Sequence, residues 1–132
     1  MGGPADPPLS DIIVGDMLKS EELACCRLCP RQCGADRLHG EKGICGVSGA
    51  DAYIARAALH FWEEPCITGE KGSGTVFFAG CSLHCIYCQN AEISGGTTGV
   101  PKDCAALAET FLRLQSEGAE NINLVTPTHY AV

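Results

Sequence analysis

The sequence lacks an excess of basic residues. Its 132 residues include 9 Lys and Arg against 16 Asp and Glu, which gives a formal net charge of -7. A nucleic-acid backbone and an anionic membrane surface both attract clustered cations, and no basic stripe occurs anywhere along the chain. The composition therefore argues against a nucleic acid and against a membrane as partners.

The sequence also lacks a segment that would export or anchor it. The opening residues, MGGPADPPLSDIIVGDMLKS, have no charged start followed by an apolar core, so they do not resemble a secretory signal. Gly2 suggests myristoylation, but Asp6 stands where that signal needs Ser or Thr. No apolar run is long enough to span a bilayer. We therefore predict a cytoplasmic protein in which residues 1–22 form a flexible leader.

Cysteine, in contrast, is abundant. Hydrophobic residues make up 45% and charged residues 19% of the chain, which is typical of a folded globular domain. Ten cysteines accompany this ordinary composition. In a reducing compartment disulfides are rare and thiolate metal sites are common. The cysteine content therefore predicts metal binding.

Half of the ten cysteines lie in a segment with little apolar periodicity. Residues 23–50 contain CCRLCPRQCGADRLHGEKGIC, and a segment of this kind is expected to fold around a metal because it has little core to bury. The following residues, 51–62, fit a strand and a helix equally well by hydrophobic period.

Residues 73–125 indicate a strand, a loop, a helix and a second strand. Thr75–Ala79 is a β-branched and aromatic run between glycines, and Ile122–Val125 is a second apolar run, so both are predicted to be buried strands. The intervening helix is marked by an N-cap at Asp103, an apolar face of Leu107, Phe111 and Leu114, and a stop at Gly118. This order predicts a βαβ unit with a right-handed crossover. Two parallel strands alone do not make a stable domain.

The stretch FFAGCSLHCIYCQN places Cys81, Cys85 and Cys88 at the end of the first predicted strand, where α/β folds hold ligands. Thiolates suit zinc or an iron–sulfur cluster, and three of them on a cubane cluster leave one iron open. No Asp or Glu occurs between Lys71 and Ala91, so no local carboxylate would repel an anionic cluster. Two alternatives stay open, namely three core positions of a helix and part of a zinc site.

Gly80 precedes the first of these cysteines. A glycine there lets the backbone approach the cluster closely, and we expect the amides of the loop to donate hydrogen bonds to the sulfur atoms.

This loop, with GSGT before it, CRLCPRQCGADRLHGEKGICG upstream and NINLVTPTH downstream, resembles the radical S-adenosylmethionine proteins related to pyruvate formate-lyase activating enzyme, in particular their uncharacterised iron–sulfur branch. The likeness runs from Cys26 to His129. It implies an α/β fold, the first βαβ part of a partial (β/α)6 radical-SAM barrel, preceded by the Cys-rich metal-binding segment. Residues 51–132 would then be a truncated barrel core.

The resemblance also implies roles for individual residues. Cys81, Cys85 and Cys88 would bind a [4Fe-4S] cluster whose fourth iron is chelated by S-adenosylmethionine. Tyr87 matches an aromatic position that lies against the adenine, and Asn90 matches a further shared position near the cofactor. Reductive cleavage would yield a 5'-deoxyadenosyl radical that abstracts hydrogen from an unidentified substrate, with a protein glycyl residue as one candidate. An electron donor such as flavodoxin or ferredoxin would be a partner.

One part of the sequence departs from the family pattern. Many relatives have a Gly-Gly-Glu type motif that contacts the methionine amino group, whereas this chain has Thr126-Pro127-Thr128-His129. We expect Thr126 and Thr128 to remake that contact. His129 either donates a hydrogen bond behind the site or faces solvent.

A second cysteine group, Cys26-x2-Cys29-x3-Cys33-x11-Cys45, has enough thiolates to close a site. Zinc and a second [4Fe-4S] cluster both fit four cysteines, and free thiols are the alternative. The basic residues expected to offset the charge as exposed pairs are Arg27, Arg31, Arg37 and Lys42. The remaining cysteines, Cys25, Cys66 and Cys104, are interpreted as a spare neighbour and two packing residues.

The cysteine patterns and the family resemblance together leave two functions from different classes. The first is a radical S-adenosylmethionine enzyme, and the second is a non-catalytic iron–sulfur or zinc protein for electron transfer or assembly. For the first, we expect these residues to be inactive alone, because exposed strand edges and a half-enclosed cofactor would accompany a partial barrel.

Overall fold

The computed structural model of the chain describes residues 21–131. The predicted leader lies outside these residues except for its last two positions, and residues 21–24 are helical. The Cys-rich segment that follows consists mainly of turns, with one 3-10 helix at Arg37–His39. Within the described range, no helix is long and apolar enough to cross a bilayer.

A four-stranded mixed sheet forms the body of the protein. Its strands are β1 (Ala52–His60), β2 (Ser73–Phe78), β3 (Val100–Lys102) and β4 (Ile122–Val125). They lie in the order β3-β1-β2-β4, so β3 and β4 are the two edges of an open sheet. β1 is antiparallel to both of its neighbours, whereas β2 and β4 are parallel.

The helices connect these strands. α1 (Pro65–Thr68) and α2 (Ala91–Ser94) are single turns, and α3 (Cys104–Ser116) is the one long helix among the described residues. α3 begins where the sequence predicts, because the Asp103 side chain accepts a hydrogen bond from the Ala106 amide at 2.8 Å. It ends before Gly118, which has a φ of 98°.

The predicted βαβ unit is confirmed as β2, α3 and β4. Leu114 is fully buried against Ile54, Val76 and Phe78 of the sheet, and Leu107 and Phe111 pack beside it. Burial of one such leucine contributes about 1.5–3 kcal/mol. The helix therefore covers one face of the sheet and fixes β4 beside β2.

The structure shows that the segment for which the sequence fitted both a strand and a helix is a strand, β1. Residues 51–62 contain a strand, Ala52–His60, because β2 offers an antiparallel partner along almost its whole length. The register shifts between Ile54 and Arg56, which marks a β-bulge beside the start of the site.

One expectation about β4 needs correction. Ile122–Val125 is a strand, but it is partly buried rather than buried, and Leu124 is 42% exposed. The reason is its place at the edge of the sheet, where only β2 lies beside it. The two parallel strands also gain stability from β1 and β3, which the sequence did not identify. The partial barrel stays a prediction.

Candidate metal and cofactor site

The loop of Cys81, Cys85 and Cys88, here called the three-cysteine loop, begins just after β2 and is not helical. Residues 81–90 form turns and bends, so the alternative of three core positions on a helix is wrong. Cys81 is buried, Cys88 is half-buried and Cys85 is exposed. The thiols thus run from the protein interior to its surface at the carboxyl end of a strand.

Backbone amides of the loop donate to its sulfur atoms. The Leu83 amide lies 3.4 Å from Cys81 Sγ, and the Asn90 amide lies 3.3 Å from Cys88 Sγ. Such N–H groups stabilise negative charge on sulfur and tune a metal bound to it. The expected amide donors are confirmed at these two cysteines.

Gly80 brings the Cys-rich segment against the three-cysteine loop. Its φ of 82° lies in the left-handed region, and a Cβ placed there would come within 2.6 Å of the Cys45 carbonyl oxygen. The next amide, Cys81 N, donates to that same oxygen at 3.1 Å. The close approach at this glycine is to the four-cysteine side of the protein, at the Cys45 carbonyl. The predicted approach of the backbone to a cluster stays a prediction.

Two side chains extend this contact. Arg31 Nε donates to the Ser82 carbonyl at 2.7 Å, and Arg31 Nη2 lies 3.4 Å from the Leu83 carbonyl. His84 Nε2 lies 2.6 Å from the Ile44 carbonyl, and Nε2 carries the hydrogen because a carbonyl only accepts. The Cys-rich segment thus holds the three-cysteine loop by backbone and side-chain bonds from both directions.

The four-cysteine group, Cys26, Cys29, Cys33 and Cys45, is largely enclosed. The thiols of Cys26, Cys29 and Cys45 are buried, and that of Cys33 is exposed. A Cβ placed on Gly43 would lie 3.4 Å from Cys33 Sγ and 3.3 Å from Cys45 Sγ, so these two sulfurs flank one glycine. A larger residue at Gly43 would occupy the space between them.

The thiols of this group influence each other. Burial raises the pKa of Cys45, and Cys26 and Cys29 raise it further by like-charge repulsion. The Val47 amide and the Arg37 guanidinium act in the opposite direction on the same pKa. A cation is therefore already placed where this group would gather negative charge.

Cys33 differs from its neighbours. The amides of Ala35 and Ile44 lower the pKa of its thiol by hydrogen bonding to the charged form. The exposed member of the group is thus the one whose ionisation the backbone favours, which suits a first contact with an incoming metal ion.

A fit to a metal rests on the donor chemistry of both groups. Among residues 21–131, no group of three or more His, Cys, Asp or Glu side chains is arranged so that it could hold a metal ion. Ligands commonly close around an ion only as it binds. The chemistry of both groups fits a thiolate-bound metal or cluster. The features that fit are soft thiols, amide donors aimed at sulfur, a nearby cation and the space above Gly43.

The residues expected to hold S-adenosylmethionine lie around the same end of the sheet. Thr126 follows β4, which is paired with β2 as far as Phe77 and Val125, and its hydroxyl lies 3.4 Å from the Phe78 carbonyl. Tyr87 is 86% exposed and Asn90 is partly buried at the start of α2. Thr128 is exposed at the start of a 3-10 helix, Thr128–Tyr130.

Thr126 has a strained backbone. Its φ of 57° is unusual for a β-branched residue and costs about 1–3 kcal/mol. Such outliers concentrate at functional sites, and this one turns the chain sharply at the carboxyl end of β4. The sequence departs from the family pattern at this residue.

His129 is buried, so the interpretation in which it faces solvent is wrong. It is 1% exposed, and Nε2 lies 3.0 Å from the Ala79 carbonyl. Burial lowers the pKa of His129 from 6.5, so the ring is neutral near pH 7 and Nε2 carries its hydrogen. His129 therefore supports the chain two residues before Cys81.

Tyr130 also contacts this carbonyl, and the sequence did not indicate it as a site residue. Its hydroxyl donates to the same Ala79 carbonyl at 2.8 Å, and burial raises its pKa to about 12, so it stays a donor. A carbonyl oxygen has two lone pairs, and these two side chains use both. No local pattern marks Tyr130, because its partner, Ala79, lies 51 positions earlier in the chain, just after β2.

A cleft of about 390 Å³ lies beside the three-cysteine loop. It is lined by Ala55 and Arg56 of β1, Phe77 of β2, and residues 89–93. The sequence did not identify Arg56 as a cleft residue, because the bulge that places it there depends on the pairing with β2.

The remaining cysteines do not pack in the core. Cys25, Cys66 and Cys104 are all exposed, so the packing interpretation of the last two is wrong. Cys66 lies in the single-turn helix α1, and Cys104 is the first residue of α3. Positions at helix starts face solvent here rather than the sheet.

Comparison with known proteins found one partial relative. An uncharacterized protein of Methanocaldococcus jannaschii is 35% identical over 69 residues, which are 52% of this chain and 19% of that protein. The match therefore spans less than a fifth of the relative's length. No family model matches the chain, and no solved structure matches it significantly.

Proposed function

We propose that this chain is the cluster-binding part of a radical S-adenosylmethionine protein of the activating-enzyme type. The observation that carries the proposal is the three-cysteine loop at the carboxyl end of β2, a strand parallel to β4, with amides donating to two of its sulfurs. Ligand sites of α/β folds lie at this end of parallel strands. A partial (β/α)6 barrel is the fold we propose around this unit.

Cys81, Cys85 and Cys88 would hold a [4Fe-4S] cluster at the surface end of this loop. When bound, such a cluster supplies the electron for reductive cleavage of S-adenosylmethionine to a 5'-deoxyadenosyl radical. Cys85 is the exposed thiol of the three, so the open side of the cluster would face solvent and an incoming ligand. Leu83, Ile86 and Tyr87 beside it are exposed apolar surface for that ligand to cover.

The residues of this chain would bind and orient the ligand. Tyr87 has a free aromatic face for a nucleobase, because its side chain is 86% exposed. Asn90 and the hydroxyls of Thr126 and Thr128 are the polar groups that we propose for the amino-acid end. The left-handed turn at Thr126 supports this role, because it bends the chain where β4 meets the end of β2.

The four-cysteine group would hold zinc or a second [4Fe-4S] cluster. Three of its thiols are buried, which suits a closed site. A flavodoxin or ferredoxin is the proposed class of electron donor, and the hydrogen donor is an unidentified substrate, with a protein glycyl residue as a candidate. The cytoplasm is the proposed location.

Anaerobic reconstitution with iron and sulfide tests the three-cysteine assignment. The chain should bind about four irons at this loop with the broad visible absorption of a cubane cluster. Cys85→Ala should remove those irons, whereas Cys66→Ala, at another exposed cysteine, should retain them. Equal iron content and absorption in Cys85→Ala and the parent would contradict the assignment and would favour the non-catalytic metal protein.

A further inference from the structure

Arg37 is a buried cation. Its side chain is 1% exposed, and it is the largest of the fully buried side chains. Arginine is almost never enclosed in this way unless an anion pairs with it, because removing an unpaired charge from water costs several kcal/mol. This corrects the expectation that Arg37 forms an exposed pair.

The described residues supply no carboxylate for Arg37. The ion pairs among residues 21–131 are His39 with Asp36, His60 with Glu63, and Arg113 with Glu117. Arg37 Nη1 instead donates to the His129 carbonyl at 2.6 Å, and Arg37 Cζ lies 5.8 Å from the centre of the Tyr130 ring.

These contacts do not neutralise the charge. A carbonyl and an aromatic ring are uncharged acceptors, and Arg37 Nε has no hydrogen-bond partner in the part of the chain that the structure describes. A buried guanidinium with one unsatisfied N–H is costly unless an anion forms beside it.

The buried thiols are the groups in position to become that anion. Arg37 Nη1 lies 3.9 Å from Cys26 Sγ, and both side chains are buried. Four thiolates around a zinc ion, or around an oxidised cubane cluster, carry an overall charge of about −2 in either case. The balance of charge therefore does not depend on which metal is present.

We infer that Arg37 is the buried counter-cation of an anionic four-thiolate metal site formed by Cys26, Cys29, Cys33 and Cys45. This inference rests on the metal proposed for the four-cysteine group and not on the radical chemistry. Since Arg37 also holds the His129 carbonyl, metal loading is tied to the turn that follows β4. The guanidinium is a positioning residue that favours the thiolate form and does not itself bind the metal.

Zinc binding to charge variants tests the inference. The background is the chain with Cys81, Cys85 and Cys88 replaced by Ala, so that zinc reports on the four-cysteine group. Arg37→Met keeps the length and removes the charge, and we expect it to weaken zinc binding about 10–100-fold in a chelator competition. Arg27→Met is the matched control, because Arg27 is an exposed cation of the same segment, and it should change the affinity less than about threefold.

The free energy of unfolding gives a second readout. Without metal, Arg37→Met should lose little stability, because removing an uncompensated buried charge offsets the lost hydrogen bond to the His129 carbonyl. With saturating zinc it should be less stable. Arg37→Lys keeps the positive charge and should retain most of the affinity that Arg37→Met loses.

Each other outcome overturns the inference. Equal destabilisation of the metal-free and zinc-loaded forms, failure of metal-free Arg37→Met to fold, or equal affinity losses in the Lys and Met variants would assign Arg37 to packing alone. If the parent binds no zinc and no iron at the four cysteines, the metal site itself is wrong. That last result leaves the three-cysteine proposal standing, because iron at Cys81, Cys85 and Cys88 is measured separately.

Discussion

At the scale of single residues, the backbone just before the three-cysteine loop is fixed by side chains that lie 50 and 51 positions later in the chain. His129 and Tyr130 both donate to the Ala79 carbonyl, and Arg37 holds the carbonyl of His129. These bonds join the Cys-rich segment, β2 and the turn after β4 at one point. The position of Cys81 therefore depends on a buried polar network rather than on the loop alone.

His129 makes the stability of this network depend on pH. Its pKa is lowered by burial from 6.5, so the folded chain binds the proton less tightly than the unfolded chain does. Above pH 6.5 His129 is neutral in both the folded and the unfolded state, and its contribution to the free energy of unfolding is complete. As pH falls below it, the unfolded state takes up the proton and stability falls by at most about 1.4 kcal/mol per pH unit.

Urea unfolding of the parent and of His129→Gln between pH 7.5 and about 5 measures this effect. The parent should lose more stability than the variant as the pH falls, because carboxylates titrate equally in both chains. Parallel stability curves for the two proteins would contradict the proposed burial of a neutral histidine.

At the scale of elements, the contact between the Cys-rich segment and the three-cysteine loop passes through Gly80. Both backbone conformation and space require glycine here, because φ is 82° and a Cβ would approach the Cys45 carbonyl oxygen to 2.6 Å. That carbonyl accepts the Cys81 amide. The two cysteine groups are consequently parts of one packed unit.

Gly80→Ala tests this packing. We expect a loss of about 2–4 kcal/mol in unfolding free energy, from the strained φ together with the clash. Gly49→Ala is the matched control, because Gly49 has a φ of 74° and nothing within 4 Å of the added Cβ. It should lose only about 1 kcal/mol in the same chemical denaturation experiment. Equal losses in the two variants would show that the segments do not press together at Gly80.

Elements with local signals were predictable from the sequence, and elements defined by distant partners were not. The Asp103 cap, the face of Leu114 and the β-branched run of β2 lie within single segments. The strand, helix and strand of β2, α3 and β4 were therefore predicted, although the edge position and partial burial of β4 were not. β1 fitted two periods, and its identity depends on pairing with β2. β3 has three residues including Pro101, too few to give a strand pattern.

The candidate site divides in the same way. The spacing of the cysteines predicts which thiols act together, because that information is local. Other contacts of the site join residues that are far apart in sequence. They are the hydrogen bonds from Arg37 to the His129 carbonyl, from Tyr130 to the Ala79 carbonyl and from Arg31 to the Ser82 carbonyl. The spacing and hydrophobic period of these residues do not predict such contacts, because the contacts form only when the Cys-rich segment packs on the sheet.

At the scale of the whole molecule, the two cysteine groups have different proposed roles, one as a closed structural site and the other as an open ligand-binding site. The four-cysteine group, with three buried thiols and a buried cation, suits a closed structural site. The three-cysteine loop, with an exposed Cys85 and surrounding apolar surface, suits a site that leaves one metal position open to a ligand. We propose that this open position accepts S-adenosylmethionine.

Electron paramagnetic resonance of the anaerobically reconstituted and reduced chain reports on ligand binding at this open position. We expect a [4Fe-4S]+ signal that shifts when S-adenosylmethionine is added and that disappears from the three-cysteine loop in Cys85→Ala. The shift needs only cofactor binding, so it does not depend on turnover or on a known substrate. A signal that S-adenosylmethionine leaves unchanged, or zinc alone at both cysteine groups, would contradict the proposed binding of S-adenosylmethionine at the three-cysteine loop.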